Sequence, residues 1–228
     1  MMLANLMRMY LAADATDRAE GARAYARYHG LMGRIADRYG TDLARVVGGF
    51  VALSPNSDYV GNVRSLISVL DGIRDGRPCH DITVSTYKHC RNRAYAYLTG
   101  KEDFMTHAKG LKTRAFYMNV LDPTDPDYVT VDGHIYGAWV GQNLTMKKAL
   151  VSPRKYRVVE ADLKLLAAVL GKIPNEVQAT IWFARKRVLG IKYNAQLGLF
   201  APADDKWGTS LDLATLRAYQ PASPRASA

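Results

Sequence analysis

Along most of the chain the apolar residues recur three and four positions apart, the spacing that places them on one face of an α-helix. In TDLARVVGGFVALS, Leu43, Val46, Val47, Phe50 and Val51 share such a face, with Thr41 read as the cap. Ser57 and Asp58 offer caps for the next stripe, Val60, Val63, Ile67 and Leu70, which the loop DGIRDGRP is expected to end. Tyr87, Cys90, Ala94, Tyr97 and Leu98 form a third stripe stopped at Gly100. Val159, Leu163, Leu166 and Leu170 run to Gly171, and Pro174 opens a helix whose Val177, Ile181, Ala184 and Val188 run to Gly190. The best strand signal, DYVTV at 127–131, is too short and isolated for a sheet core. The expectation is an all-α protein.

With 228 residues the chain can bury a sizeable core without disulfides or metal. Its first twenty residues are apolar for too short a run to span a membrane and make a poor signal peptide, so an intracellular, cytoplasmic protein without a membrane partner is expected. The PASPRASA tail, 221–228, has the composition of a disordered end. Charge changes the picture more: 31 basic against 21 acidic residues give a net +10, which favours a polyanionic partner without choosing among nucleic acid, acidic protein and membrane surface.

Two cysteines cannot ligate a four-thiolate cluster. Cys79-His80 and His89-Cys90 have zinc-like composition, but adjacent residues on a helix point about 100° apart, so no metal or other cofactor is expected. Asp122, Asp125 and Asp127 lack the Gly and Glu of a calcium loop and read as a turn. Asp132 and His134 lack a third ligand. The stretch GLKTRAFYMNVLDPTDPDYVTVDGH is more informative. Ala108-Lys109-Gly110 is a small-residue turn before a helix starting near Lys112-Thr113, whose free N–H groups can grip a phosphate. Phe116 and Leu121 are expected to be buried, and Val129 and Val131 to anchor the return so that Asp132 opens the next helix, with Ile135 and Trp139 on one face. Lys112 and Asp132 are then expected to face one cleft.

Lys112-Thr113 and, twenty residues on, Val131-Asp132-Gly133-His134 resemble the core of the helix-hairpin-helix base-excision DNA glycosylases, the endonuclease III and 8-oxoguanine glycosylase superfamily. Leu53-Ser54-Pro55-Asn56, followed by Asn62-Val63, resembles that family's Leu-Ser-x-Gln segment. The chain departs from the pattern at Ala108 and Lys109, where the hairpin has a glycine and an apolar residue, and at Asn56, where it has Gln. It also lacks the cluster cysteines.

The resemblance implies a single two-lobed helical domain over 1–220, lobe A at about 46–131 and lobe B at about 1–45 plus 132–220, with the active site between them. It implies a monomer that binds double-stranded DNA, flips a damaged or modified base and cleaves its glycosidic bond, with AP-lyase activity. Lys112 would be the nucleophile and Asp132 the carboxylate facing the sugar cation. Asn56 and Tyr59 would fill the gap left in the duplex, while Ala108, Lys109, Gly110, Thr113, Arg114 and His134 would meet the DNA. Lys147, Lys148 and the run Arg185, Lys186, Arg187 are further cations that could track phosphates. An ordinary lysine titrates near 10.4, so a nucleophilic Lys112 asks about 4 kcal/mol of environmental help at neutral pH. Two other readings stay open: a non-catalytic hairpin module that only holds DNA, and a base-modification enzyme on the same scaffold.

Overall fold

A computed structural model describes residues 2–144 and 151–191. Among them the protein is all-α, with ten α-helices, one 3₁₀ turn and no strand. The expected tail at 221–228 and Lys147 and Lys148 lie outside the described residues. In order, the helices are α1 (Met2–Leu11), α2 (Ala15–Tyr39), α3 (Leu43–Ala52), α4 (Tyr59–Arg74), α5 (Lys88–Leu98), α6 (Phe104–His107), α7 (Leu111–Leu121), α8 (Gly133–Val140), α9 (Pro153–Leu170) and α10 (Pro174–Val188), with the 3₁₀ turn at Cys79–Asp81.

Local chemistry sets most starts. Asp58 and Asp132 cap α4 and α8 through hydrogen bonds donated by the N–H groups of Gly61 and Ile135. Pro174 sits in the first turn of α10, where its missing N–H costs nothing. For α2, Asp14 and Asp17 form a reciprocal capping box. Four details differ from the sequence expectation. Asp42, not Thr41, caps α3, because its carboxylate reaches the N–H of Arg45. The α4 helix continues through Asp71-Gly72-Ile73-Arg74, since Gly72 lets Ile82 pack against the helix backbone there and the loop begins only at Asp75. Tyr87 and Val188 fit the periodic stripes but are exposed, since among the described residues no neighbouring element covers those ends.

The buried side chains form two hydrophobic clusters. The first gathers α2 to α7, with Phe50, Leu53, Leu66, Val69 and Val120 at its centre, and Ala179 and Phe183 of α10 reach into it. The second joins α1, α8, α9 and α10 through Leu6, Ile135, Val159, Leu163 and Ile181, together with Val129 and Val131 from the extended segment before α8. The clusters do not follow contiguous stretches of the chain. Ala24 to Ala36 of α2 lie in the first cluster, whereas Ala115, Val129 and Val131 lie in the second.

The most extensive helix contact joins α2 to α10. Its closest point is Gly21, where a Cβ would stand 2.6 Å from the Cα and backbone nitrogen of Thr180. On one side of that crossing the Tyr25 hydroxyl donates to Gln178 Oε1 at 2.7 Å. On the other, Arg187 donates to the buried Asp17 at 2.8 Å and to the Ala12 carbonyl at 2.6 Å.

Gly21→Ala should therefore separate the two helices and cost about 1–3 kcal/mol, the usual penalty of overpacking. Gly33→Ala, also in α2 but with open space around the new methyl, should instead gain roughly 0.5–1 kcal/mol from helix propensity. Urea denaturation of the two variants beside wild type measures both signs.

Candidate functional site

Against the first cluster, where α10 and the segment before α8 meet it, lies a cavity of about 560 Å³, within the range of roughly 300–1,000 Å³ typical of small-molecule sites. Its walls come from several parts of the chain. Tyr25 and Tyr28 of α2, Phe50 of α3, Tyr59 of α4 and Phe116 of α7 supply aromatic surface, and Gln178, Trp182, Phe183 and Lys186 of α10 close the other side. Tyr28 and Tyr59 stack at 5.1 Å, and Phe50 sits 6.0 Å from Phe116. Burial pushes the Tyr28 phenol up to about 12 and raises Tyr25 and Tyr59 as well, so these rings present neutral phenols.

Asp132 and Lys112 both line this cavity. They arrive from different helix starts. Gly110 is the N-cap of α7, which places Lys112 in the first turn, exposed at the rim. Val129 and Val131, fully buried, pin the segment that delivers Asp132 to the N-cap of α8. Both carboxylate oxygens of Asp132 are held: Oδ1 accepts from the Ile135 N–H at 2.8 Å and Oδ2 from the Trp182 indole N–H at 2.9 Å. Two fixed donors stop the group rotating and leave its charge directed along one side of the cavity.

The other expected residues divide. Tyr59 lies in the aromatic wall, stacked on Tyr28, and does not project outward as a wedge. Asn56 is exposed on the turn before α4 with a left-handed backbone (φ 52°), which asparagine tolerates better than most residues. Lys109 and Arg114 face a smaller hollow of about 250 Å³ bordered by Tyr128, Tyr156, Arg157 and Glu160. Lys109 also donates to the Thr106 carbonyl at 3.0 Å. Ala108 is buried as the C-cap of the four-residue α6, and Thr113 is half-buried beside Gly110. His134 packs edge-on to Trp182, with ring centres 6.1 Å apart.

The run Arg185-Lys186-Arg187 also separates. Arg185 is buried and donates to the Gln142 carbonyl at 2.6 Å; Arg187 latches α10 to Asp14 and Asp17. Lys186 alone of the three lines the cavity, its ammonium 3.9 Å from the centre of the Trp182 ring. Burial lowers its amine below the usual lysine range even though the Asp132 charge opposes the change. Sequence reading named Lys186 only as one cation in a run, and missed Tyr25, Tyr28, Gln178 and Trp182. A signal existed in the i, i+4 spacing of Gln178, Trp182 and Lys186 and the i, i+3 spacing of Tyr25 and Tyr28.

Among the described residues no three His, Cys, Asp or Glu side chains are grouped to hold a metal ion. Cys90 is buried in the helix core and His89 stacks on Tyr87, so the adjacent pair diverges. Asp122 accepts from the N–H and hydroxyl of Thr124, and Asp125 from the N–H of Asp127, the bonds of a tight turn.

His134 supplies a pH prediction. Burial holds its pKa below the ordinary 6.5. Unfolding therefore takes up a proton between the native value and about 6.5, so stability should fall as pH drops through that window and level off below it. His134→Gln should flatten this part of the profile, which thermal melts between about pH 7 and pH 4.5 would record.

No curated protein and no solved structure matches the chain. One family profile does, over residues 1–188, and it carries no activity. The cavity, both hydrophobic clusters and all ten helices lie within that span, and the protein belongs to DUF7178, a family of unknown function.

Proposed function

We propose that this protein is a DNA glycosylase with AP-lyase activity, built on a two-lobed helix-hairpin-helix scaffold in which the two hydrophobic clusters are the lobes. The observation that carries the reading is the meeting of Lys112 and Asp132, from two helix starts twenty positions apart, on one aromatic-walled cavity. The net charge of +10 supports a polyanionic partner.

A base inside a duplex is out of reach, so it is flipped into the cavity at a cost of a few kcal/mol in lost stacking. The rings of Tyr28, Phe50, Tyr59 and Phe116 replace that stacking. As the glycosidic bond stretches, its electron pair leaves with the base and positive charge builds on the sugar. Asp132, held by two N–H donors, stabilises that charge without having to reorient. The Lys112 amine, giving up a proton, then bonds to the sugar C1′, the ring opens to an iminium as its oxygen takes up a proton, loss of a C2′ proton expels the 3′ phosphate, and water releases the amine. The first turn of α7 carries no side-chain cap, so its N–H groups are available to a DNA phosphate.

The rival reading is a module that holds DNA without chemistry. It is favoured by the bonds of Asp132, which a purely structural cap would also make.

The two readings separate on duplexes carrying a panel of damaged or modified bases, read as free base and strand nicking. The glycosylase reading expects release of at least one base and a borohydride-trapped adduct. Lys112→Gln should lose nicking while keeping DNA binding within a few-fold. Asp132→Asn retains an N-cap but should slow base release by roughly 10²–10³-fold, the usual scale for removing a preorganised electrostatic group. Release of no base from any duplex, with Asp132→Asn altering only stability, would establish the holding module instead. Binding itself should weaken steeply from low to physiological salt, because phosphate contacts release counterions. Fluorescence anisotropy at several salt concentrations measures that slope, and a flat one removes nucleic acid as the partner.

A further inference from the structure

The cavity contains two amines, and they differ in setting. Lys112 is exposed at the rim, whereas Lys186 lies along the wall, half-buried, with its nitrogen above the Trp182 ring at 3.9 Å. The same indole donates its N–H to Asp132 Oδ2 at 2.9 Å. One rigid ring thus fixes an amine and a carboxylate relative to each other. Among the described residues, the charged and titratable groups that share this cavity with Lys186 are Asp132, Lys112, Asp58 and the phenols of Tyr25, Tyr28 and Tyr59, with His134 at the edge of Trp182.

We propose that Lys186 is a second nucleophilic amine of this cavity, placed to condense with the aldehyde carbon of a ligand that lies against the aromatic wall. Three features combine. The side chain lines the cavity, the indole restricts its motion, and the Asp132 carboxylate on the same cavity stabilises the cationic imine that the condensation passes through. Neutral Lys186 adds to the carbonyl carbon, a water relays one proton from the nitrogen to the alkoxide, and the carbinolamine hydroxyl then takes up a second proton and leaves as water while the nitrogen gives up its remaining proton to solvent. The product is an imine, and no oxidant or reductant is consumed. Desolvation assists, since it raises the neutral fraction of the amine. The inference goes beyond the glycosylase reading because it requires only that an aldehyde reach the cavity.

The test uses benzaldehyde, a planar aromatic aldehyde, with cyanoborohydride on the full-length protein near neutral pH. Cyanoborohydride delivers hydride to the imine carbon and solvent supplies a proton to nitrogen, leaving a stable secondary amine that peptide mass spectrometry can locate. Lys186 should be modified several-fold faster than the exposed Lys88, because desolvation raises the neutral fraction of its amine. Lys186→Arg, which keeps a cation over Trp182, should abolish the fast adduct without transferring it elsewhere. Modification of Lys112 ahead of Lys186, equal rates at Lys186 and Lys88, or a fast adduct that moves to another lysine in Lys186→Arg would each overturn the inference. A parallel arm treats the protein with abasic-site DNA and borohydride. An adduct there that maps to Lys112 upholds the lyase reading, and the absence of a Lys112 adduct beside an intact benzaldehyde adduct at Lys186 removes that reading while leaving this one standing.

Discussion

The backbone contact of α2 with α10 at Gly21 and Thr180 is the constraint on which the cavity depends. Helix axes normally stay about 8–10 Å apart because side chains separate them. A glycine at the crossing removes the side chain that would hold α2 away, and the faces beside the crossing then close into opposite walls. Tyr25 and Tyr28 stand one and two turns along α2, and Gln178 and Trp182 flank Thr180 on α10. The Tyr25–Gln178 hydrogen bond and the Arg187–Asp17 ion pair lock the angle from both sides. Asp17 is fully buried and Arg187 partly so, so breaking that pair would strand a charge away from water.

The second joint is the hydrogen bond from Trp182 to Asp132. It ties α10 to the start of α8 across fifty positions of sequence. A single carboxylate thereby caps one helix, anchors another and presents negative charge to the cavity. Its electrostatic influence reaches His134, Arg185 and Lys186. Structural and chemical roles coincide at Asp132, and that is why only a substitution preserving the cap, asparagine, can separate them.

The aromatic wall and the cationic rim suit different parts of one ligand. Tyr28, Phe50, Tyr59 and Phe116 offer flat apolar surface to a ring, while Lys112 and Lys186 offer charge or nucleophilic nitrogen to whatever the ring is attached to. The smaller hollow at Lys109, Arg114 and Arg157 lies on the far face of α7 and contains Glu160, held to Arg157 at 2.7 Å. Part of its positive charge is therefore already neutralised within the protein.

Helical character, the caps at Asp58 and Asp132, the start at Pro174 and the buried anchors Val129 and Val131 were legible in the sequence, because each follows from local hydrogen bonding or a 3.6-residue period. The two helix starts that carry Lys112 and Asp132, joined by a turn-rich return, were legible too. Periodicity could not say whether a stripe's end would be covered, so Tyr87 and Val188 fit the pattern and yet meet solvent. Nor could it place α2 beside α10, whose contacting residues lie more than 150 positions apart. Tertiary packing alone decided that Tyr25, Tyr28, Trp182 and Lys186 would share a cavity with Asp132. It also divided one basic run into a buried strut at Arg185, a cavity amine at Lys186 and a latch at Arg187. Like charges along a helix differ in sequence only by their 100° steps, and it is the neighbour each step meets that determines its chemistry.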